Sequence, residues 1–210
     1  MKIGILGAGN VGGSLGKAWA QCGHEIVFGA RDPHGERAQQ AVAGAGSNAR
    51  ADTLGAAVAA TDVVVLAVPW AAVPDALRAA GDLSGKIVID TTNALRWENG
   101  PVKGVDTSAA ETIAAWLPGS HVVKAFNTIG GEHMADPQFG DEAADMFICG
   151  DDAAARAVVA GLANEIGFVA RDAGTLRNAP LLESLAILWI HMVTVGGLGR
   201  DVAFKLLTKN

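Results

Sequence analysis

The chain has 210 residues, of which 50% are hydrophobic and 18% are charged, and its formal net charge at pH 7 is −6. This composition predicts a globular protein rather than a disordered one, long enough for one α/β domain and a small appendage. The acidic balance disfavours nucleic-acid binding, which usually requires a basic surface.

Short runs rich in Val and Ile alternate with alanine-rich stretches along the first 174 residues. In chain order we predict strands over 2–6, 25–29, 62–68, 86–90, 121–126, 145–150 and 167–172. Between them we predict helices over 11–22, 35–44, 53–60, 71–80, 108–116 and 152–165, with Ser108 and Asp151 as N-caps. Because strands buried on both faces are apolar throughout, this alternation predicts the α/β class with a doubly wound parallel sheet.

Residues 175–210 have no strand pattern and are strongly apolar. We therefore predict a small C-terminal helical subdomain after a domain of residues 1–174. A helix that is apolar on more than one face needs more than one partner, so we expect a contact with a second subunit and a homodimer. The longest apolar run, residues 180–197, is too short and too polar to span a membrane. The N-terminus has no signal-peptide pattern, and we predict a cytoplasmic protein without a membrane partner.

The segment Gly7-Ala8-Gly9-Asn10-Val11-Gly12 fits the pattern G-x-G-x-x-G between a predicted strand and a predicted helix. Gly7 allows a tight turn, Gly9 lets the backbone approach a pyrophosphate, and Gly12 lets the helix pack on the strand. The backbone N–H groups at the start of the helix attract phosphate. A tight turn without a ligand is the alternative, but the context favours the dinucleotide-binding Rossmann arrangement.

The end of the second predicted strand indicates which dinucleotide is bound. Enzymes that use NAD place an acidic residue there, about 20 residues after the glycines, whereas Gly29 stands at that position here. Arg31 follows, after Ala30, and a guanidinium can pair with the 2′-phosphate of NADP. Asp32 could neutralise Arg31 or cap the next helix. The pattern favours NADP(H) over NAD(H).

Three further loops follow predicted strands, and the carboxyl ends of the strands in an open α/β sheet meet at one edge. They are Ala67-Val68-Pro69-Trp70, Asp90-Thr91-Thr92-Asn93 and Phe126-Asn127-Thr128-Ile129-Gly130. Pro69 can fix the turn against the cofactor ribose. Asn93, Asn127 and Thr128 can hydrogen-bond a carboxamide or a ring edge, or can merely form local turns.

A general acid or base for carbonyl chemistry has few candidates at these loops. Only Asp90, Lys124 and His133 are available, none in an obvious catalytic position, and the chain has no Tyr. We find no metal-ligand spacing, and we predict that Cys22 and Cys149 are small core residues. Hydride transfer between a nicotinamide and a flavin-like ring needs no such residue. The sequence therefore favours a second redox ring as the substrate, with no catalytic side chain assigned. A reductase of a small carbonyl or imine and a non-catalytic NADP-binding module are the alternatives.

The motifs "LGAGNVGGSLG", "GARDP", "AVPW", "VVKAFNTIG", "CGDDAAARAVV" and "DAGTLRNAPLLESLA" resemble, in order and over nearly the whole chain, the NADP oxidoreductases that use the deazaflavin coenzyme F420. The resemblance implies a Rossmann domain, a helical C-terminal part and a dimer. It also implies that Gly7–Gly12 bind the pyrophosphate, and that Ala30 and Arg31 bind the 2′-phosphate. Residues 67–70 and 127–129 would frame the nicotinamide, with Trp70, Ile129 and Gly130 towards the acceptor.

The chain departs from that family's pattern at two of these places. Ala30-Arg31-Asp32 replaces a serine and two arginines, and Asn127-Thr128-Ile129-Gly130 replaces a His-Thr-Ile-Pro loop. The "DTTN" and "VVKAFNTI" stretches are also similar to the reductase domains of six-transmembrane ferric reductases, which use NADPH with FAD. The acceptor therefore stays open among F420, FMN and FAD.

Overall fold

An eight-stranded sheet runs through the centre of the computed structural model, which describes residues 1–209. The strands are β1 (Lys2–Leu6), β2 (Glu25–Ala30), β3 (Ala49–Thr53), β4 (Val63–Leu66), β5 (Ile87–Asp90), β6 (Leu95–Trp97), β7 (Pro101–Lys103), β8 (His121–Lys124), β9 (Gln138–Phe139), β10 (Glu142–Ala143), β11 (Asp145–Gly150) and β12 (Val169–Asp172). The helices are α1 (Asn10–Gln21), α2 (Glu36–Ala45), α3 (Leu54–Ala59), α4 (Val73–Ala80), α5 (Ala109–Trp116), α6 (Ala153–Glu165) and α7 (Ala179–Thr194). The predicted α/β fold is confirmed.

The strand order in the sheet is β12-β11-β8-β5-β4-β1-β2-β3. The six strands from β8 to β3 are parallel, whereas β11 pairs with β8 in the antiparallel sense and β12 is parallel to β11. The expected parallel sheet therefore has one reversed edge. Parallel neighbours need a crossover, usually a helix, and residues 125–144 carry only a short 3₁₀ turn and the small hairpin β9–β10.

Several elements differ from the sequence-based expectations. The edge strand β3 and the hairpin β6–β7 were not predicted, because their polar, half-exposed residues lack an apolar run. The side chain of Asp152, not Asp151, accepts the hydrogen bond that caps α6, whereas Ser108 caps α5 as predicted.

The C-terminal segment is only partly helical. Helix α7 ends at Thr194, so the expectation of a helix through the remaining residues is wrong for 195–209. Gly197 and Gly199 there have φ values of 72° and 75°, which are incompatible with a right-handed α-helix. Asn210 lies outside the described residues. Among residues 1–209, no helix is both long and apolar enough to cross a membrane.

Two apolar layers cover the faces of the sheet. Side chains of α1 and α6, including Trp19 and Val159, pack on one face, and those of α3, α4, α5 and α7 pack on the other. This double layer buries the Ile side chains of β1, the Val side chains of β4, and Val88 and Ile89 of β5. The strand ends and their loops therefore meet at one edge of the sheet.

Candidate functional site

A cleft of about 600 Å³ opens at the carboxyl ends of β1, β2 and β4. Its lining includes 7–9, 29–32 and 67–69, which contain seven of the predicted site residues. Its volume lies in the range of small-molecule and cofactor sites. The structure thus brings the glycine loop, the end of the second strand and the Ala67–Pro69 turn to one place.

The glycines of the loop meet different surroundings. Gly7 has φ 111°, and a Cβ there would lie 2.5 Å from the carbonyl oxygen of Ala67. A Cβ on Gly12 would collide with the carbonyl oxygen of Gly7. A Cβ on Gly9 would meet nothing within 4 Å. The fold itself therefore requires Gly7 and Gly12, whereas the open space beside Gly9 is available to a ligand.

The first turn of α1 offers free hydrogen-bond donors at the cleft. Gly9 is the N-cap and supplies no side-chain cap, and Asn10 and Val11 are the first helical residues. The backbone N–H groups of a first turn have no partner inside the helix and favour an anion. The loop and helix therefore present the N–H donors that a phosphate requires. The predicted binding of the pyrophosphate here stays a prediction.

Arg31 stands exposed at the end of β2, and no salt bridge between residues 1–209 involves it. The carboxylate of Asp32 instead accepts a hydrogen bond from the backbone N–H of His34, at 3.0 Å. Arg37, in the first turn of α2, lines the same cleft and likewise forms no salt bridge within the described chain. Sequence reasoning missed Arg37. The sequence feature that could have indicated Arg37 is the turn at Pro33–Gly35, which brings the start of α2 back to the end of β2.

The opposite wall is mainly apolar, and its charged residue, Asp75, forms an ion pair with Arg78. Leu54 of α3 and Ala72, Ala76 and Ala79 in and before α4 line the cleft. Short side chains leave space for a flat ring between the helices, which is the environment that an adenine base requires. The sequence analysis did not identify these residues.

The amides of Asn93 and Asn127 are bonded to each other rather than directed into the cleft. Asn93 Nδ2 donates to the Asn127 carbonyl at 2.9 Å, and Asn127 Nδ2 donates to Asn93 Oδ1 at 3.1 Å. Thr128 is 2% exposed and Ile129 is 7% exposed. None of these residues, nor Gly130, belongs to the lining of the cleft. Their predicted contacts with the cofactor stay predictions.

The loop after β8 nevertheless reaches the glycine loop. A Cβ on Gly131 would lie 3.2 Å from Asn10 Cβ and from the backbone nitrogen of Val11. Phe126 directs the loop there with a positive φ of 58°, and its ring packs edge-on against Trp19 and Phe168 in the core. Such a backbone conformation costs a bulky residue roughly 1–3 kcal/mol, and it is retained where the surroundings impose it.

Two buried polar atoms near these loops have no partner among the described residues, namely Thr92 Oγ1 and Asn127 Oδ1. Buried polar groups are almost always hydrogen-bonded, so each unsatisfied atom requires an explanation. A carboxamide has two N–H donors and one carbonyl acceptor, which are the groups that such oxygen atoms bind. The observations at the cleft itself that fit a bound dinucleotide are the open space at Gly9, the uncapped helix and the two unpaired arginines.

The three candidate acid–base residues are all engaged in other contacts. Asp90 and Lys124 are fully buried and form an ion pair of 2.8 Å. His133 Nε2 lies 3.2 Å from the carbonyl oxygen of Arg200 and 3.2 Å from Asp201 Oδ1. None of the three presents a free group to the cleft. That the site has no catalytic side chain stays a prediction.

Trp70 is turned away from the cleft, although it follows the turn that lines it. Its ring stacks on Trp116 at the end of α5, with centroids 5.8 Å apart and planes 14° apart. The predicted contact between Trp70 and the acceptor therefore has no support in this geometry and stays a prediction.

The two cysteines have opposite environments. Cys149 is buried as predicted, and burial raises the pKa of its thiol to about 12, so it stays protonated and unreactive. Cys22 is exposed, so its prediction as a core residue is wrong. It is the C-cap residue of α1.

Three of the matches with known proteins are described as F420-dependent NADP oxidoreductases or reductases. A profile of the family described as "NADP oxidoreductase coenzyme F420-dependent" matches residues 2–94. The F420-dependent NADP reductase of Methanocaldococcus jannaschii is 31% identical over 209 residues, covering 91% of this chain and 92% of that protein. A crystal structure provisionally described as an F420-dependent NADP-reductase from Arthrobacter sp. FB24 has a TM-score of 0.89, with 32% identity and coverage of 99% and 100%.

A second group of relatives is much longer than this chain. The metalloreductase STEAP3 of Rattus norvegicus is 31% identical over 188 residues, which cover 89% of this chain. The matched region spans only 36% of the length of that rat protein.

Proposed function

This chain belongs to the coenzyme F420-dependent family of NADP oxidoreductases, and on that premise we propose that it transfers hydride between NADP(H) and a deazaflavin or flavin ring. It is an NADP-dependent reductase by family, and the identity of the second ring is the proposed part. The observation that carries the proposal is that the three candidate acid–base residues, Asp90, Lys124 and His133, are all engaged in other contacts. The carboxylates that line the cleft, Asp32, Glu36 and Asp75, are bonded to His34, Gln40 and Arg78.

The preference for NADP(H) is supported by the two arginines at the strand end. Arg31 and Arg37 line the cleft, and neither pairs with a carboxylate within residues 1–209. An unpaired guanidinium is available for a charge-assisted, bidentate contact with the ribose 2′-phosphate. Asp32 is held by the backbone of His34 and leaves Arg31 free.

The choice of a ring as the acceptor follows from what the surrounding residues can do. Reduction of a carbonyl requires a proton donor at the reacting oxygen, and Asp90, Lys124 and His133 are all occupied by other groups. The two redox rings supply the electron chemistry when bound. The protein's task is then to hold them in position and exclude water.

The other candidate functions have weaker support. A carbonyl or imine reductase would need one of the three engaged residues to be released. A non-catalytic NADP-binding module would share the cleft, but the relatives are named as reductases. A metalloreductase activity like that named for the rat relative concerns a protein of which this chain matches about a third.

The second ring can be identified by a spectroscopic panel. Purified protein is mixed with NADPH or NADH and with F420, FMN or FAD, and bleaching of the acceptor is followed under anaerobic conditions. We expect NADPH to reduce at least one ring and NADH to be a poorer donor. Binding of NADPH without reduction of any ring contradicts the proposal. Turnover of an imine or ketone instead supports the carbonyl or imine reductase.

We also propose a homodimer formed through α7. Leu181, Leu188 and Val195 are 67%, 48% and 49% exposed and are spaced seven residues apart. The half-buried Leu185 and Met192 complete a 4-3 spacing, which is the pattern of a helix that packs along another helix. A second copy of the same helix has the matching surface.

A further inference from the structure

Three charged side chains are buried together where β5 and β8 end. Lys124 and Asp90 are fully buried, and Glu183 of α7 is 4% exposed. Lys124 Nζ lies 2.8 Å from Asp90 Oδ2 and 3.2 Å from Glu183 Oε1. Two carboxylates that face one ammonium give this cluster, Asp90–Lys124–Glu183, a formal charge of −1.

Stability alone does not explain the cluster. Apolar residues of similar volume usually stabilise a core at least as well as a buried ion pair does. The Glu183 carboxylate also accepts hydrogen bonds from the backbone N–H groups of Ala109, at 3.0 Å, and Ala110, at 3.2 Å, where α5 begins. The N-terminal end of α5 carries a partial charge of only about +0.5, so the formal charges of the cluster and the helix end together remain negative.

The cluster fixes the loops at the proposed nicotinamide end. Asp90 Oδ1 accepts a hydrogen bond from the backbone N–H of Thr92 at 2.8 Å, and Lys124 donates to the Thr92 carbonyl. Asn127, bonded to Asn93, donates to the carbonyl of Leu182 at 3.2 Å. Leu182 directly precedes Glu183, so helix α7 supports both loops.

We propose that Glu183 is a positioning residue whose charge makes the site favour the oxidised, cationic nicotinamide over the reduced, neutral one. This inference rests on the proposed function, because it requires NADP(H) at this edge of the sheet. A net negative charge behind the loops stabilises NADP⁺ more than NADPH. The site thereby favours loss of hydride from NADPH to the ring acceptor, which with one solvent proton becomes its dihydro form.

The test compares the affinities of the full-length protein for NADP⁺ and NADPH by calorimetric titration. We expect Glu183→Gln to weaken NADP⁺ binding relative to NADPH binding by about threefold to tenfold, the size expected for one partly screened unit charge. Asp90→Asn removes the other carboxylate and leaves a neutral Lys124–Glu183 pair, so it should shift the ratio in the same direction. If Glu183→Gln does not fold, the affinity ratio of Asp90→Asn tests the inference instead.

Glu25→Gln is the matched control, because it removes a carboxylate that is 65% exposed at the opposite edge of the sheet. We expect that variant to leave the affinity ratio unchanged. Equal loss of both affinities in the two cluster variants, or no change in either, shows a purely structural role and overturns the inference alone. Wild-type protein that binds neither nucleotide overturns the proposed function, and this inference with it.

Discussion

Arg31 and Arg37 line the cleft from different elements, one after β2 and one in the first turn of α2, at the end where the ribose is proposed to lie. A cation without a carboxylate partner keeps its full charge for a ligand, whereas a surface ion pair would satisfy it locally. The chain lacks the family's two adjacent arginines, but the cleft still contains two cations, Arg31 and Arg37. The second comes from a position that only the folded chain brings near.

The arginines give a direct test of cofactor preference. Arg31→Ala and Arg37→Ala should each weaken NADPH binding by roughly tenfold to a hundredfold, the equivalent of a charge-assisted contact of about 1.5–3 kcal/mol. NADH binding should change little, because it lacks the 2′-phosphate. The measurement is titration of both nucleotides by fluorescence. An equal loss for both would remove the assignment of the 2′-phosphate to that arginine.

The glycine loop allows ligand contact to be separated from folding. A methyl group on Gly9 meets no protein atom within 4 Å, so Gly9→Ala should fold normally while its Cβ enters the space proposed for the pyrophosphate. We expect NADPH affinity to fall about fivefold to a hundredfold, for a steric intrusion of roughly 1–3 kcal/mol.

Gly13→Ala is the matched control for Gly9→Ala. Its Cβ also meets nothing within 4 Å, and it lies inside α1, where alanine is favoured over glycine by about 1 kcal/mol. NADPH affinity should be retained and the thermal midpoint should rise slightly. If Gly9→Ala binds NADPH as tightly as Gly13→Ala does, no phosphate lies close to Gly9.

At the scale of elements, the C-terminal segment after α7 works as a strap rather than a helix. Arg200 forms an ion pair with Glu132 beside the loop that follows β8, and the Trp189 indole donates to the carbonyl of Val202 at 2.8 Å. The backbone N–H of Asp145 donates to Phe204 at 3.1 Å. These contacts tie the segment to the loop that abuts α1 and to the start of β11.

The Glu132–Arg200 pair predicts a pH dependence of stability. The hydrogen bond from Arg200 lowers the pKa of Glu132 from 4.5 to about 2. A lowered pKa in the folded state means that the stabilisation is complete above about pH 4.5 and is lost as the pH falls towards 2. Because both side chains are more than one-third exposed, we expect only about 0.2–1 kcal/mol.

Urea denaturation at about pH 6 and about pH 3 measures this effect. Glu132→Gln and Arg200→Gln should each lower the unfolding free energy more at the higher pH than at the lower. A difference from the wild type that is the same at both pH values would show that the carboxylate contributes nothing through its charge.

At the scale of the whole molecule, the outer face of α7 is an apolar surface that the described chain leaves uncovered. Its inner face carries Leu182, Ala186 and Trp189 into the core. Its outer face exposes Leu181 and Leu188, and the exposed C-cap residue Val195 follows on the same side. Glu183 and Leu182 on the same helix contact Lys124 and Asn127, at the end of β8 and in the loop after it. A subunit packed on α7 would therefore also stiffen the site proposed for the nicotinamide.

The oligomeric state can be tested by one charge on that face. Leu188→Glu should convert the proposed dimer to a monomer, since a carboxylate in an apolar helix contact is strongly unfavourable. Leu207→Glu, a change at a residue that is 80% exposed outside α7, should leave the dimer intact. Sedimentation velocity gives the masses. A wild-type protein that sediments as a monomer contradicts the proposal.

The sequence alone determined the α/β fold, the glycine loop and the place of Arg31, because each depends on local periodicity or on a motif of fixed spacing. Strands β1, β4 and β5 were identifiable because burial on both faces makes them apolar throughout. The polar edge strand β3 was not, since its partial exposure removes that signal.

Only the tertiary structure decided which polar residues are free. It paired Lys124 with Asp90 and with Glu183, which lies 59 residues further along the chain. It turned Trp70 onto Trp116 and placed Arg37 beside Arg31 in the cleft. It also reversed β11 and ended α7 at Thr194. Hydrogen bonds and ion pairs between distant segments depend on how the layers pack, and no local pattern of residues records that packing.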